Sequence, residues 1–256
     1  GIATGLAQEG HKVVAYSIGN FPTLRPLEQI RNDAAYHNAN VKIVCVGGGF
    51  SYGALGMSHH ATEDLSILRA LPNVSVLAPA TDRETAEATR HMMATDGVFY
   101  LRLERASTPM PEGTDDKPVT IGKIRTLREG SDVTFVGAGA VLAAAFGAAE
   151  VLAAEGISCR IMSAHTVKPL DADALIAAAK NTRVLITLEE NTILGGLGGA
   201  VAEILLENGA APQKFLRMGI PDTYTSIVGD QKYLMGLYGL ETKALAAKAK
   251  SLLGGQ

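Results

Sequence analysis

The chain has 256 residues, of which 47% are hydrophobic and 19% charged, the balance of a globular protein long enough for two ordinary domains. Its formal net charge of −3 excludes the basic footprint that nucleic-acid binding needs. No apolar run approaches the ~20 uncharged residues of a bilayer span, the longest Ala-rich stretch being broken by Glu150 and Glu155.

The opening residues, GIATGLAQEG, carry a helical pattern with neither a cap residue nor a charged first turn, which predicts a missing segment upstream. They lack the basic leader and cleavage site of a signal peptide. Next come a strand at KVVAYSIG, a helix at PLEQIRNDAAYHN, a strand at VKIVCVGGG, a loop, and a helix at TEDLSILRAL. VSVLAPA, RETAEATRHMMAT and VFYLRLERA follow as strand, helix and strand. Strands rich in Val and Ile that alternate with helices imply crossover units and a mostly parallel sheet.

At STPMPEGTDDKP the text changes to prolines and acidic residues, marking a domain boundary. A second α/β series begins at SDVTFVGAG and VLAAAFGAAEVLAAEG, with a single strand expected over ISCRIMSAHTV. It continues through DADALIAAAKN, RVLITLEEN, GGLGGAVAEILLENG and ETKALAAKAKSLL. The expected fold is therefore two α/β domains, residues 1–106 and 129–256, each with a mostly parallel sheet flanked by helices, joined by a linker over 107–128.

The two cysteines, Cys45 and Cys159, lie in apolar strand-like runs and read as buried free thiols, which fits a reducing cytoplasm. Gly137 and Gly139, at a turn from strand to helix, superficially match a dinucleotide fingerprint. That fingerprint needs an acidic residue at the end of the next strand, and IMSAHTV offers none, so tight helix–strand packing accounts for the glycines.

The informative stretch is the loop GGGFSYGALGMSHHATED, which leaves an apolar strand and enters a helix. Gly47, Gly48, Gly49, Gly53 and Gly56 permit turns and close approach to a ligand, at the carboxyl ends of strands where α/β sheets bind ligands. Thr62 is placed to cap the following helix, with Glu63 and Asp64 in its first turn. His59 and His60 are adjacent and lack the i, i+4 spacing of a helical metal pair.

Taken in order, the glycine loop, SHHATED, LRALPNVSVLAP and YLRLER resemble the pyrimidine-binding domain of the transketolase family, and HTVKPLD, LEENTILGGLGG and MGIPDTY resemble its C-terminal domain. The resemblance covers nearly the whole chain and is nearest to split forms, in which separate subunits provide the N- and C-terminal sections. 1-Deoxyxylulose-5-phosphate synthase is a more distant likeness. What this implies is a thiamine-diphosphate-dependent transferase that moves a two-carbon ketol unit between sugar phosphates. It implies, at matching positions, proton transfer or substrate contact by His59, and stacking on the aminopyrimidine by Phe21, with Pro22 the alternative in an ungapped register. Phe50 and Tyr52 follow as further cofactor contacts and Arg105 as the grip on the substrate phosphate, suited to its fork of donors.

Three departures qualify the likeness. Leu55 stands where many members have an acidic donor contact, and Gly47 where they have a histidine. The family's catalytic glutamate belongs in a segment before Gly1, and GDQ at 229–231 is no substitute for the GDG and Asn of a diphosphate site. The resemblance therefore implies an N-terminal partner section holding the Mg2+ and diphosphate of thiamine diphosphate, no metal ligand in this chain, a homodimer of it alone and a heterotetramer with its partner. Two rival expectations stand beside it: a non-catalytic paralogue subunit, and a related acyl-transfer or pyruvate-condensing synthase.

Overall fold

The computed structural model describes residues 1–105, 108 and 118–254. The first half runs α1 (Ile2–Gln8), β1 (Val13–Ile18), α2 (Leu27–Gln29), a π-helical turn (Ile30–Ala35), β2 (Val41–Val46) and two 3-10 turns (Gly53–Leu55 and Met57–His59). It ends with α3 (Asp64–Ala70), β3 (Val74–Leu77), α4 (Asp82–Ala94) and β4 (Val98–Leu103). The second half runs β5 (Arg125–Arg128), β6 (Val133–Ala138), α5 (Leu142–Ala153), β7 (Cys159–Ser163), β8 (Thr166–Lys168) and α6 (Ala172–Lys180). Then come β9 (Val184–Thr192), α7 (Leu197–Glu207), β10 (Lys214–Ile220), α8 (Gln231–Leu237) and α9 (Thr242–Gly254).

Two five-stranded sheets result, in the orders β1-β2-β4-β3-β8 and β10-β9-β6-β7-β5. All pairs are parallel except the two edges, β8 on β3 and β5 on β7. The expected pair of mostly parallel α/β layers is the observed architecture. No helix among the described residues is long and apolar enough to cross a membrane.

The expected single strand at 157–167 is two. β7 stays in the second sheet, the chain passes through Ala164 and His165, and β8 then joins the first sheet as its edge. Backbone bonds pin the crossing, Ala78 N–H to His165 O at 2.8 Å and Ala164 N–H to Gly137 O at 2.8 Å. One buried apolar cluster accordingly runs from Val41, Ile43 and Val76 into Val136, Met162, Leu197 and Val201. The expected linker contributes β5 to the second sheet, while residues 107 and 109–117 of it lie outside the described residues.

The helix expected over 26–38 is a short α-turn that widens into the π-turn, which places Ile30, Ala34 and Ala35 on one buried face. Along β1, an edge strand, Val14 and Tyr16 are exposed, as are Ile2 and Leu6 of α1. Both cysteines are free and buried.

A charge is buried at the heart of the joint. Arg102 on β4 is 2% exposed and faces the Asp64 carboxylate of α3 at 3.6 Å, itself 0% exposed. Its Nη2 donates to the carbonyl of Glu190 on β9 at 2.8 Å, and Tyr100 donates its hydroxyl to Asp64 at 2.5 Å. Losing one partner of such a pair leaves the other charged and desolvated. Arg102→Met is therefore expected to cost about 3–5 kcal/mol in urea unfolding, and adding Asp64→Asn, which still accepts from Tyr100, is expected to restore most of it.

Candidate functional site

The glycine loop leaves β2 and closes on itself, Gly49 and Ala61 exchanging N–H to O bonds of 2.9 and 3.0 Å. Its glycines answer to what lies beneath. A Cβ at Gly48 would fall 2.0 Å from Arg102 Nε, and one at Gly49, where φ is +58°, would fall 2.4 Å from the carboxyl carbon of Glu190. Side chains are thus excluded on the inner face, and the loop lies flat on the buried charges of both domains.

Two clusters face outward from this loop. In the first, the half-buried Phe21 meets His59 edge to face, with ring centroids 5.1 Å apart, and the Arg25 guanidinium sits 4.1 Å over the Phe21 ring. Asn20 fixes the approach by donating to the His60 carbonyl. His59 Nδ1 is engaged by Ser58 Oγ at 3.0 Å, leaving Nε2 for an incoming group. Phe21 is thus beside His59, and Pro22, next in sequence, is buried.

The second cluster is a cavity of 490 Å³ in which Ser51, Tyr52, Leu55, Arg105 and Gln231 line the wall together with the acidic Asp230, whose Oδ1 accepts the Tyr233 N–H at 2.8 Å. The exposed Arg105 guanidinium stands 5.4 Å over the Tyr52 ring. That ring occupies the space above Gly47, where a Cβ would come within 2.3 Å of it. Leu55 is 55% exposed at the cavity wall and supplies no polar group. Arg105 therefore offers a fixed cation above an aromatic floor.

Phe50, expected as a cofactor contact, is fully buried instead. Its ring is packed between His60, 5.1 Å away, and Tyr238, stacked at 5.8 Å, and has no face left for a ligand. It turns inward because the apolar side chains of Ile220 and Leu234 enclose it from the second domain. His60 is buried too, and its pKa is lowered by that burial, against a 3.3 Å contact to Gly53 O. Thr62 does not cap α3. Its hydroxyl donates to Glu63 at 2.9 Å, and the N-cap position is Glu63, with no side-chain cap bond.

Sequence reasoning missed the acids under the loop. Glu190 accepts the Phe50 N–H at 2.5 Å and two bonds from Gln231 Nε2, at 3.1 and 2.9 Å. Glu104 accepts the Ala140 N–H at 3.1 Å. Burial, reinforced by their mutual repulsion in the case of Glu104, pushes Glu104 up to about 8 and Glu190 up to about 7. Glu189, raised to about 7 by burial, accepts the Leu197 and Gly198 N–H groups at the start of α7. The available signal was Arg102 inside an apolar central strand and Glu104 just past its end, since parallel strands buried on both faces read as continuous apolar runs. Among the described residues no group of three or more His, Cys, Asp and Glu is placed to hold a metal ion.

These features define a two-domain α/β protein whose glycine loop belongs to one sheet and is seated on the other. The chain belongs to the transketolase family: residues 1–111 match the model for the transketolase pyrimidine binding domain and residues 122–244 that for the transketolase C-terminal domain. It is 36% identical to one of the subunits of an apulose-4-phosphate transketolase from Phocaeicola vulgatus, over 97% of this chain and 78% of that protein. It is also 36% identical to a 6-deoxy-6-sulfo-D-fructose transketolase subunit of a Clostridium species, over 97% and 76% of the two. A solved split-gene transketolase, described as an inactive beta4 tetramer, superposes with a TM-score of 0.85 at 34% identity, covering 99% of this chain and 79% of that one.

The raised carboxyls make stability fall with rising pH. The folded state keeps protons that an unfolded chain releases above about 4.3, so their contribution is present at low pH and is lost through about 7 to 8. His60 and His165, both lowered by burial, oppose this trend only until unfolded imidazoles have lost their protons, about one unit above 6.5, and Lys42, lowered to about 8 by burial, opposes it only at the top of the window, so the carboxyls dominate between them. Between pH 6.5 and 8 the melting temperature is expected to fall by at least about 2–4 °C, the effect of 1 kcal/mol in a chain of this size. Glu104→Gln, which still accepts the Ala140 N–H, is expected to flatten that profile in scanning calorimetry.

Proposed function

We propose that this chain is the C-terminal subunit of a two-part, thiamine-diphosphate-dependent transketolase. It would transfer a two-carbon ketol unit from a ketose phosphate to an aldose phosphate, with an N-terminal section as partner. The observation that carries the reading is the placement, around one loop, of an aromatic–imidazole pair and a cation over an aromatic floor. The half-buried Phe21 ring, with Arg25 over one face, is read as the aromatic that stacks on a planar aminopyrimidine, with Pro22 the alternative. When bound, thiamine diphosphate supplies the nucleophilic carbon that opens the ketose between carbons 2 and 3.

The chain's own residues bind and orient around that chemistry. His59, through Nε2, holds or moves a proton at a sugar hydroxyl. Arg105 anchors the anionic end of the substrate, and Tyr52 keeps its guanidinium in place. Leu55 gives the cavity an apolar wall at the position of the acidic donor contact, which suits a donor without a hydroxyl there. The Mg2+ and diphosphate fall to the N-terminal section. The exposed Ile2, Leu6, Val14 and Tyr16 support a lasting interface, in a homodimer alone and a heterotetramer with that section.

The test is co-expression with the N-terminal section, light scattering for the mass, and a panel of ketose phosphates, sulfonated and deoxy sugars, and pyruvate. Two-carbon transfer from a sugar is the expected outcome; activity with pyruvate alone contradicts it, and no turnover with a complete partner favours a non-catalytic subunit. Arg105→Ala is expected to raise KM for the anionic sugar by about 10- to 100-fold with kcat little changed, the pattern of lost uniform binding.

A further inference from the structure

We infer that Glu190, near the end of a strand of the second domain, is the positioning residue that holds the ligand loop of the first domain in its binding shape. The inference rests on the reading of Phe21, His59, Tyr52 and Arg105 as one ketol-transfer site. Its geometry is independent of the chemistry.

The Gly49–Ala61 bridge makes residues 50–60 a closed appendage, and that appendage carries Tyr52, Leu55 and His59. At its base the Phe50 N–H donates to Glu190 Oε1 at 2.5 Å, the first backbone donor beyond the bridge. Gly49 has no Cβ, and one there would overlap the Glu190 carboxyl carbon at 2.4 Å, so the acid sits flush against the loop backbone. The Glu190 carbonyl takes Arg102, which in turn lies under Gly48. Both carboxyl oxygens also receive Gln231 Nε2, at 3.1 and 2.9 Å.

Gln231 is more than a neighbour of the acid. It lines the same cavity as Arg105 and Tyr52, at the start of α8, whose Leu234 rests against Gly53 in the middle of the loop. Gln231 is therefore open to a ligand held at Arg105, Gln231 orients Glu190, and Glu190 fixes the Phe50 amide at the root of the loop. A buried acid whose oxygens are all engaged has one arrangement, and the loop inherits it. Glu190 acts through Phe50 and Gln231, with the substrate bound elsewhere on the loop.

Hydrogen exchange on the isolated chain, with KM and kcat on the pair reconstituted with its N-terminal section, decides the matter. In Glu190→Ala the amides of 51–60 are expected to exchange about tenfold faster while those of β6 and β9 keep their protection, and KM for the anionic sugar is expected to rise more than kcat falls. Glu190→Gln, which retains a carbonyl for the Phe50 N–H, is expected to return both readouts to within about twofold of wild type. Unchanged exchange in 51–60, acceleration spread evenly through both sheets, or a Glu190→Gln variant as loose as Glu190→Ala overturns the inference. Should Glu190→Ala not fold, Gln231→Ala takes its place: faster exchange confined to 51–60 supports the inference and silence there refutes it. Loop protection lost on schedule, with no sugar turned over by the reconstituted pair, counts against the ketol-transfer reading alone.

Discussion

A guanidinium taken out of water needs every one of its neighbours in place, and Arg102 sets that requirement at the centre of this chain. Its charge is answered by Asp64 on α3 and by the Glu190 carbonyl on β9, elements from both halves of the molecule. The cost of burying the pair is large and is only partly offset by the bonds to Tyr100 and to the Glu190 carbonyl, since Arg102 Nε and Asp64 Oδ1 have no hydrogen-bond partner among the described residues. The glycine loop above Arg102 has no choice of shape as a result, since Gly48 tolerates no side chain over Nε. A long glycine-rich loop, usually among the least ordered parts of an α/β domain, here rests on a buried ionic floor.

The same floor explains why the two domains act as one. β8 leaves the second domain to complete the first sheet, the apolar cluster crosses the joint, and a second buried pair, Glu84 with Arg125 at 3.0 Å, spans it at another point. Phe50 belongs to this seam rather than to the site, its ring enclosed by His60 and Tyr238. Near neighbours in sequence thus divide the labour. His60 and Phe50 face inward to join the domains, and the less buried His59 and Tyr52 lie on the outer side of the loop. A change in the second domain can consequently alter a site whose visible residues lie mostly in the first.

Much of the fold was legible in the sequence. Val- and Ile-rich runs separated by helices of ordinary length pointed to two mostly parallel layers, and the Gly-rich segment after β2 marked the long loop at the carboxyl end of that strand. What escaped were elements whose local pattern is weak. β5 is short and bears Arg at both ends, and β10 is an edge strand with Lys214 and Arg217, so neither has the apolar run of a central strand. The split between β7 and β8 is a tertiary decision, invisible in a continuous apolar stretch. Of the candidate site, Phe21, His59, Tyr52 and Arg105 were named through their motifs, with roles that rest on the resemblance, whereas the buried charges of Asp64, Arg102, Glu104 and Glu190 were not seen. Ion pairs between distant elements leave no periodicity, and Asp64 read as an ordinary first-turn acid until β4 brought Arg102 beneath it.

The central claim is that this chain supplies the aromatic wall of a thiamine diphosphate site whose other wall belongs to a partner. The most direct measurement is calorimetric titration of Mg2+ and thiamine diphosphate into the reconstituted pair, comparing wild type with Phe21→Ala and Pro22→Ala. Loss of a stacking ring is worth about 1.4 kcal/mol or more, so Phe21→Ala should weaken binding by at least about tenfold while Pro22→Ala leaves the affinity near wild type. Undiminished affinity in Phe21→Ala, or tight binding to this chain without its partner, would contradict the account.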